Sequence, residues 1–245
     1  LTLNPKGCWG QPSMSEQQQT RTIQQALTLA MQHHNAGQLS EAENIYQQIL
    51  QNDPNQPMAS HLLGVIAHQS GNNHLAAELI TKAVAIKPDF PEAYNNLGLA
   101  FHALGKPNEA MESYYKALEL KPSLSAAHCN LGDTLRALGR LDEAVTHSKK
   151  AVQIQPDLAE AHNTLGVVLR DRQRVEEAIA SFQSALHIKP NYPEAHRNLA
   201  SALRQLGQLE EAITCCRKAL DLKPNDPQAH SDLLVMEQYR LTNNS

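Results

Sequence analysis

Apolar and small residues return along this chain at a fixed interval. Prolines at Pro54, Pro88, Pro122, Pro156, Pro190 and Pro224 each follow the last by 34 residues. Cut on them, the chain reads as blocks 23–56, 57–90, 91–124, 125–158, 159–192 and 193–226, with a partial block from Pro227 onward. Within a block, positions 4, 7, 8 and 11 and then 20, 24, 27 and 30 are apolar or small, the spacing of a helix face. Each block is therefore predicted to be two amphipathic helices.

The same columns recur in residue type. Position 7 is Leu29, Leu63, Leu97, Leu131, Leu165 and Leu199, and position 8 is Ala30, Gly64, Gly98, Gly132, Gly166 and Ala200. Position 20 is Ala42, Ala76, Ala110, Ala144, Ala178 and Ala212; position 27 is Ile49, Ala83, Ala117, Ala151, Ala185 and Ala219. Small residues at 8, 20 and 27 let paired helices approach closely. A large side chain at Gly98 or Gly132 should cost about 1–3 kcal/mol through overpacking. Position 15 is Gly37, Gly71, Gly105, Gly139 and Gly207, with Gln173 the exception, as suits a left-handed residue closing a helix. Acidic pairs such as Asp142–Glu143, Glu176–Glu177 and Glu210–Glu211 complement the dipole at the start of the second helix. The repeat proline stops that helix, and Pro57, Pro91, Pro193 and Pro227 are placed to open the next.

A fixed repeat of this length predicts a stack of units that contact only their neighbours: one elongated all-α domain without a central core. The residues resemble the tetratricopeptide repeat, whose pattern block 91–124 meets with Tyr94, Leu97, Gly98, Phe101, Ala110, Tyr114, Ala117 and Pro122. The likeness covers roughly residues 23–240. It implies a right-handed superhelical solenoid of antiparallel helix pairs, with a groove lined by the first helix of each pair. The first two blocks depart from the pattern, with Ala26 and Ser60 at position 4 and His33 and Ala67 at position 11, and read as an end cap or a different packing.

Composition narrows the function classes. The chain is 41% hydrophobic but only 4% aromatic, as expected for helices packed through Leu and Ala. A net charge of −4 gives no basic footprint for nucleic acid. No apolar run approaches the ~18 residues that span a bilayer, and no signal sequence opens the chain, so a cytoplasmic protein is expected. Residues 1–22 lie outside the repeats and are expected to carry no fold; Met14 begins a polar run of bacterial character, and residues 1–13 read either as an extension before the native start or as a disordered tail.

Catalytic and metal chemistry find no footing. Cys8, Cys129, Cys215 and Cys216 form no C-x-x-C pair; Cys216 is expected in the core and the others without a role. His128, His162, His196 and His230 share position 4. Helices packed about 8–10 Å apart hold such residues too far apart to share an ion, so they are expected to fill space between helices. No H-E-x-x-H, G-x-S-x-G or phosphate-binding loop is present. Neither an active site nor a cofactor is expected.

The candidate function lies on the first helices. Positions 2, 6, 9 and 13 fall together opposite the buried stripe. Position 6 is Asn96, Asn130, Thr164, Asn198 and Asp232 from the third block on. An asparagine amide both donates and accepts, so one per repeat could grip the backbone of an extended peptide from solvent. Beside it, position 12 is His34, His68, His102, Arg136, Arg170 and Arg204. The arginines read either as an anion track or as a stripe neutralised by Glu160, Glu194 and Asp171. The asparagine column and the segments EAHNTLGVVLR and EAHRNLASALRQLGQ also resemble the amino-terminal arrays of bacterial relatives of O-linked GlcNAc transferase. There an asparagine ladder holds protein substrates; Asn96, Asn130 and Asn198 match it, and Thr28 and Leu62 do not. Two functions follow: a scaffold binding a peptide or protein, or the substrate-recruiting part of a transferase whose catalytic domain is absent from this chain. Residues 227–245 read as a capping helix or the start of a seventh repeat, with His230 and Leu233 inward.

Overall fold

The computed structural model describes the backbone of residues 14–243 and the side chains of residues 22–242. Thirteen helices, and no strands, make up the described chain: α1 (Met14–Asn35), α2 (Leu39–Asn52), α3 (Pro57–Gln69), α4 (Asn73–Ile86), α5 (Pro91–Ala103), α6 (Pro107–Leu120), α7 (Ser125–Ala137), α8 (Leu141–Ile154), α9 (Ala159–Asp171), α10 (Val175–Ile188), α11 (Pro193–Gln205), α12 (Leu209–Leu222) and α13 (Pro227–Asn243). Every second helix, from α2 to α12, ends two residues before its repeat proline, as expected where proline excludes the helical conformation from the residue before it. Prolines Pro57, Pro91, Pro193 and Pro227 each open the following first helix. The turn glycines all have φ between 69° and 80°, and Gln173 adopts the same conformation at φ 61°. The turn geometry thus holds even where its glycine is missing.

Instead of the expected single domain, the chain forms two compact units that divide at Leu104 and Gly105. In the amino-terminal unit α1 pairs with α2 and α3 with α4, while α3 also touches α5. In the carboxy-terminal unit α7 pairs with α8, α9 with α10 and α11 with α12. There the first helices also touch one another directly, α7 with α9, α9 with α11 and α11 with α13, so they form a layer of their own. No helix in the described residues is long and apolar enough to cross a membrane.

All six alanines of position 20 are fully buried, as are Ala83, Ala117, Ala151 and Ala185 of position 27. Position 8 is a point of close approach: a Cβ on Gly166 would stand 2.5 Å from Phe182 Cε1, and one on Gly64 would stand 2.6 Å from Ile80 Cγ1. A further column was not evident in the sequence pattern. Position 3, Ala59, Ala93, Ala127, Ala161, Ala195 and Ala229, is buried to 0% exposure throughout, and position 10 (Ile66, Ala100, Thr134, Val168, Ala202 and Met236) is almost as deep.

Three expectations need correction. Helix α1 begins at Met14, inside the segment expected to carry no fold, because SEQQQTR holds no proline or glycine to stop it; residues 1–13 lie outside the described residues. Leu29 is 48% exposed while Leu27 is buried, since α1 has no described helix pair before it to cover that side. In α13 the inward residues are Ala229 and Met236, with Leu233 partly buried against the core and His230 exposed.

Candidate functional site

The position-4 histidines do more than fill space. His128, His162, His196 and His230 each donate Nε2–H to the carbonyl of the repeat proline six residues earlier, at 3.1, 2.8, 2.9 and 2.8 Å. Each ring thereby ties a first helix to the end of the helix before it. Only His128 is buried, and its Nδ1 meets His147 Nδ1 at 2.9 Å. With Nε2 protonated, His128 accepts there and His147 donates. Burial lowers the pKa of both rings, and for His147 the neighbouring His128 adds to the effect. Cys129 is buried as well as Cys216, so it belongs to the core, contrary to expectation; Cys8 lies outside the described residues. Among the described residues no group of three or more His, Cys, Asp or Glu could hold a metal ion.

The position-6 residues sit between successive first helices. Asn198 donates through Nδ2 to Asn163 Oδ1 at 3.0 Å, and Asn96 reaches His61 Nε2 at 2.9 Å. Both bonds run from position 6 back to position 5 of the preceding block, an offset of 35 residues. Asn198 is only 8% exposed, so the expectation that these amides stand free in solvent fails there. The close contact of first helices half-covers the row; Asn130, Thr164 and Asp232 keep intermediate exposure. His61, the partner of Asn96, is strongly perturbed: burial, opposed by Glu92 and aided by His34, pushes its pKa down to about 4. Accepting from Asn96 on Nε2, it carries its proton on Nδ1, which is buried without a hydrogen-bond partner, and its ring packs edge-on against Phe90.

Charges beside this row are mostly paired within the molecule. Glu160 meets Lys189 at 2.9 Å and Glu194 meets Lys223 at 3.5 Å, so these acids do not neutralise the arginine column. Asp171 does. Arg136 reaches it at 3.2 Å and its own Asp133 at 3.0 Å, and Arg170 reaches it at 3.3 Å. Burial opposes the charge on Arg136, but Asp133 and Asp171 outweigh it and hold its pKa above the ordinary value. Arg204 is exposed and has no ion pair among the described residues. It lines a cavity of about 240 Å³ with Gly207, Leu209, Val235, Met236 and Tyr239. Neither the cavity nor the difference between Arg204 and its column was legible in the sequence; the one sequence signal was that Tyr239 stands two repeats after Asp171.

Models of the tetratricopeptide repeat match residues 91–124, 123–191 and 169–233, and a model described as TPR repeat matches residues 68–105. Among solved structures, the APC/C hetero-tetramer Cut9–Hcn1 is similar with a TM-score of 0.80 at 19% identity, over 86% of this chain and 42% of that one. The chain thus spans less than half the length of that structure's chain. PilW, a type IV pilus biogenesis factor, is similar with a TM-score of 0.76 at 21% identity, over 86% of this chain and 98% of that one. YrrB, described as a TPR protein with an unusual peptide-binding site, gives a TM-score of 0.58 at 19% identity, over 79% of this chain and 97% of that one. At such identities the likeness is one of fold. No curated protein matches the sequence, so the resemblance to transferase arrays gains no support from that side.

Proposed function

The chain belongs to the tetratricopeptide repeat family, a fold of protein-interaction scaffolds, and we propose that its carboxy-terminal unit holds an extended peptide segment of a partner protein along the layer of first helices. Asn130, Thr164, Asn198 and Asp232 supply hydrogen-bonding groups one repeat apart, and Asn96 offers the same group in the amino-terminal unit. The observation that carries this reading is the polar row between α7, α9, α11 and α13. Asn198 is already held by Asn163, so less of its side-chain freedom is lost when a peptide binds. Asn198 donates to Asn163 and keeps its carbonyl oxygen as an acceptor for a backbone N–H.

The test uses the full chain as bait for a random peptide display library. Selected peptides are then titrated against a variant carrying Asn130→Ala, Thr164→Ala and Asp232→Ala. Asn198 stays intact because its bond to Asn163 supports the fold. Two or three hydrogen bonds at ~0.5–1.5 kcal/mol each predict a loss of at least about fivefold in affinity with unchanged helix content. Selected peptides that bind the variant as well as the wild type would overturn this assignment.

A further inference from the structure

Repetition allows one site to be read against its own copies. Arg136 lies 35 residues before Asp171 and meets its carboxylate at 3.2 Å. The residue with the same offset from Arg204 is Tyr239, and where the earlier pair makes an ion pair, Arg204 and Tyr239 line a cavity of about 240 Å³. The acids next in sequence to its lining residues are engaged elsewhere: Glu210, beside Leu209, pairs with Arg240 at 3.6 Å, and Glu237, beside Met236, with Arg217 at 2.6 Å. The remaining walls are apolar, from Leu209, Val235 and Met236, and Val235 and Tyr239 are 51% and 63% exposed. A guanidinium beside exposed apolar surface, in a slot that elsewhere in this chain holds an aspartate, lacks its anion.

We propose that this cavity binds a side-chain carboxylate of a partner peptide, an Asp or Glu flanked by an apolar residue, with Arg204 receiving the carboxylate and Val235, Met236 and Tyr239 the apolar neighbour. The proposal rests on the peptide-binding reading of the carboxy-terminal unit and names part of what that peptide must contain. The cavity lies below the ~300–1,000 Å³ of sites that enclose drug-sized ligands, so it takes one or two side chains, not a whole ligand. Arg suits the role because its planar fork can meet both carboxylate oxygens.

The probe is N-acetyl-aspartyl-leucine amide, titrated at millimolar concentration into the ¹⁵N-labelled full chain and followed by NMR at the Arg204 side chain and the Val235 and Tyr239 amides. Saturable shifts confined to these positions are expected. The asparaginyl analogue should bind about tenfold more weakly, the loss of one charge-assisted interaction. Arg204→Gln should abolish the response, and Val235→Ser should weaken it with Arg204 intact. Equal binding of the asparaginyl analogue would overturn the proposal. So would shifts spread evenly over Arg136, Arg140 and Arg174. A response to N-acetyl-glycyl-leucine with a free terminus, but none to the aspartyl amide, would assign the cavity to chain ends and overturn it as well. The dipeptide is too short to follow the row from Asn130, so the two readings fail separately. No dipeptide response, with library peptides still dependent on Asn130, removes the cavity assignment alone; a dipeptide response without such peptides removes the row alone.

Discussion

Adding one methyl group at Gly166 tests how tightly the helix pairs are closed. A Cβ there would lie 2.5 Å from Phe182 Cε1, 2.7 Å from Cδ1 and 2.9 Å from Cζ. Carbon atoms pack favourably at ~3.5–4.0 Å, so α9 and α10 must part by about 1 Å or the ring must leave its place. Phe182 is 0% exposed and lies in a core with Leu165, Leu169, Leu199 and Ile213, so the ring has nowhere to go. Overpacking of this kind costs ~1–3 kcal/mol, while replacing a mid-helix glycine by alanine returns ~0.5–1 kcal/mol. The strain wins, and Gly166→Ala should destabilise by about 1–2 kcal/mol. The chain also contains the solution: in the sixth block positions 8 and 24 are Ala200 and Cys216, with Cys216 fully buried. Gly166→Ala combined with Phe182→Cys should therefore be less damaging than the sum of the single changes, by a coupling of about 1 kcal/mol or more. Gly132→Ala should cost less than Gly166→Ala, because the atom it meets is the hydroxyl of Ser148 at 2.5 Å, which can rotate aside. Urea unfolding followed by circular dichroism measures the four variants, and hydrogen exchange in α9 and α10 localises the effect. A Gly166→Ala protein as stable as the wild type, or a strictly additive double variant, would refute the close-approach argument.

Other outcomes follow from single positions. Gln173→Gly should stabilise by about 0.5–1 kcal/mol, since a non-glycine residue at φ 61° carries a left-handed penalty of ~1–2 kcal/mol that glycine's greater unfolded freedom partly offsets; a loss of stability in urea would contradict this. Asn198→Ala should cost about 1–2 kcal/mol, because it strips the donor from the half-buried Asn163, and a melting temperature equal to wild type would show the inter-helix bond to be idle. His61 has its folded pKa pushed down from 6.5 to about 4, so the unfolded state binds its proton first. Its contribution is complete above pH 6.5 and is lost as pH falls toward 4, about 3 kcal/mol in all; the stability of the wild type should fall more steeply with falling pH than that of His61→Gln between pH 6.5 and about 4, and parallel pH profiles across that window would refute it. Removing residues from Pro227 onward should expose Ile213, Cys216 and the partly buried Leu220 and cause aggregation, whereas unchanged solubility would mean that α13 is no cap.

Much of this molecule is written in its local pattern. The repeat prolines set every second-helix end, and the glycine column sets the turns, because both act through the backbone of a few adjacent residues. The buried alanines at positions 20 and 27 were legible for the same reason: helical periodicity says which residues share a face. What periodicity leaves open is what that face meets. The fully buried column at position 3 and the covering of Asn198 by Asn163 depend on how one helix pair lies against another 34 residues away, and the reach of each position-4 histidine to a proline carbonyl depends on how a first helix sets against the end of the helix before it. Identical letters therefore meet different surroundings. Leu29 is exposed where Leu63 is buried, and Arg136 finds Asp171 where Arg204 finds a cavity. The sequence by itself determined the repeating unit and its turns, since these follow from conformational preference over short spans. Only the tertiary structure decided which polar groups remain open to a partner, because charge pairing and burial are settled by neighbours distant in the chain.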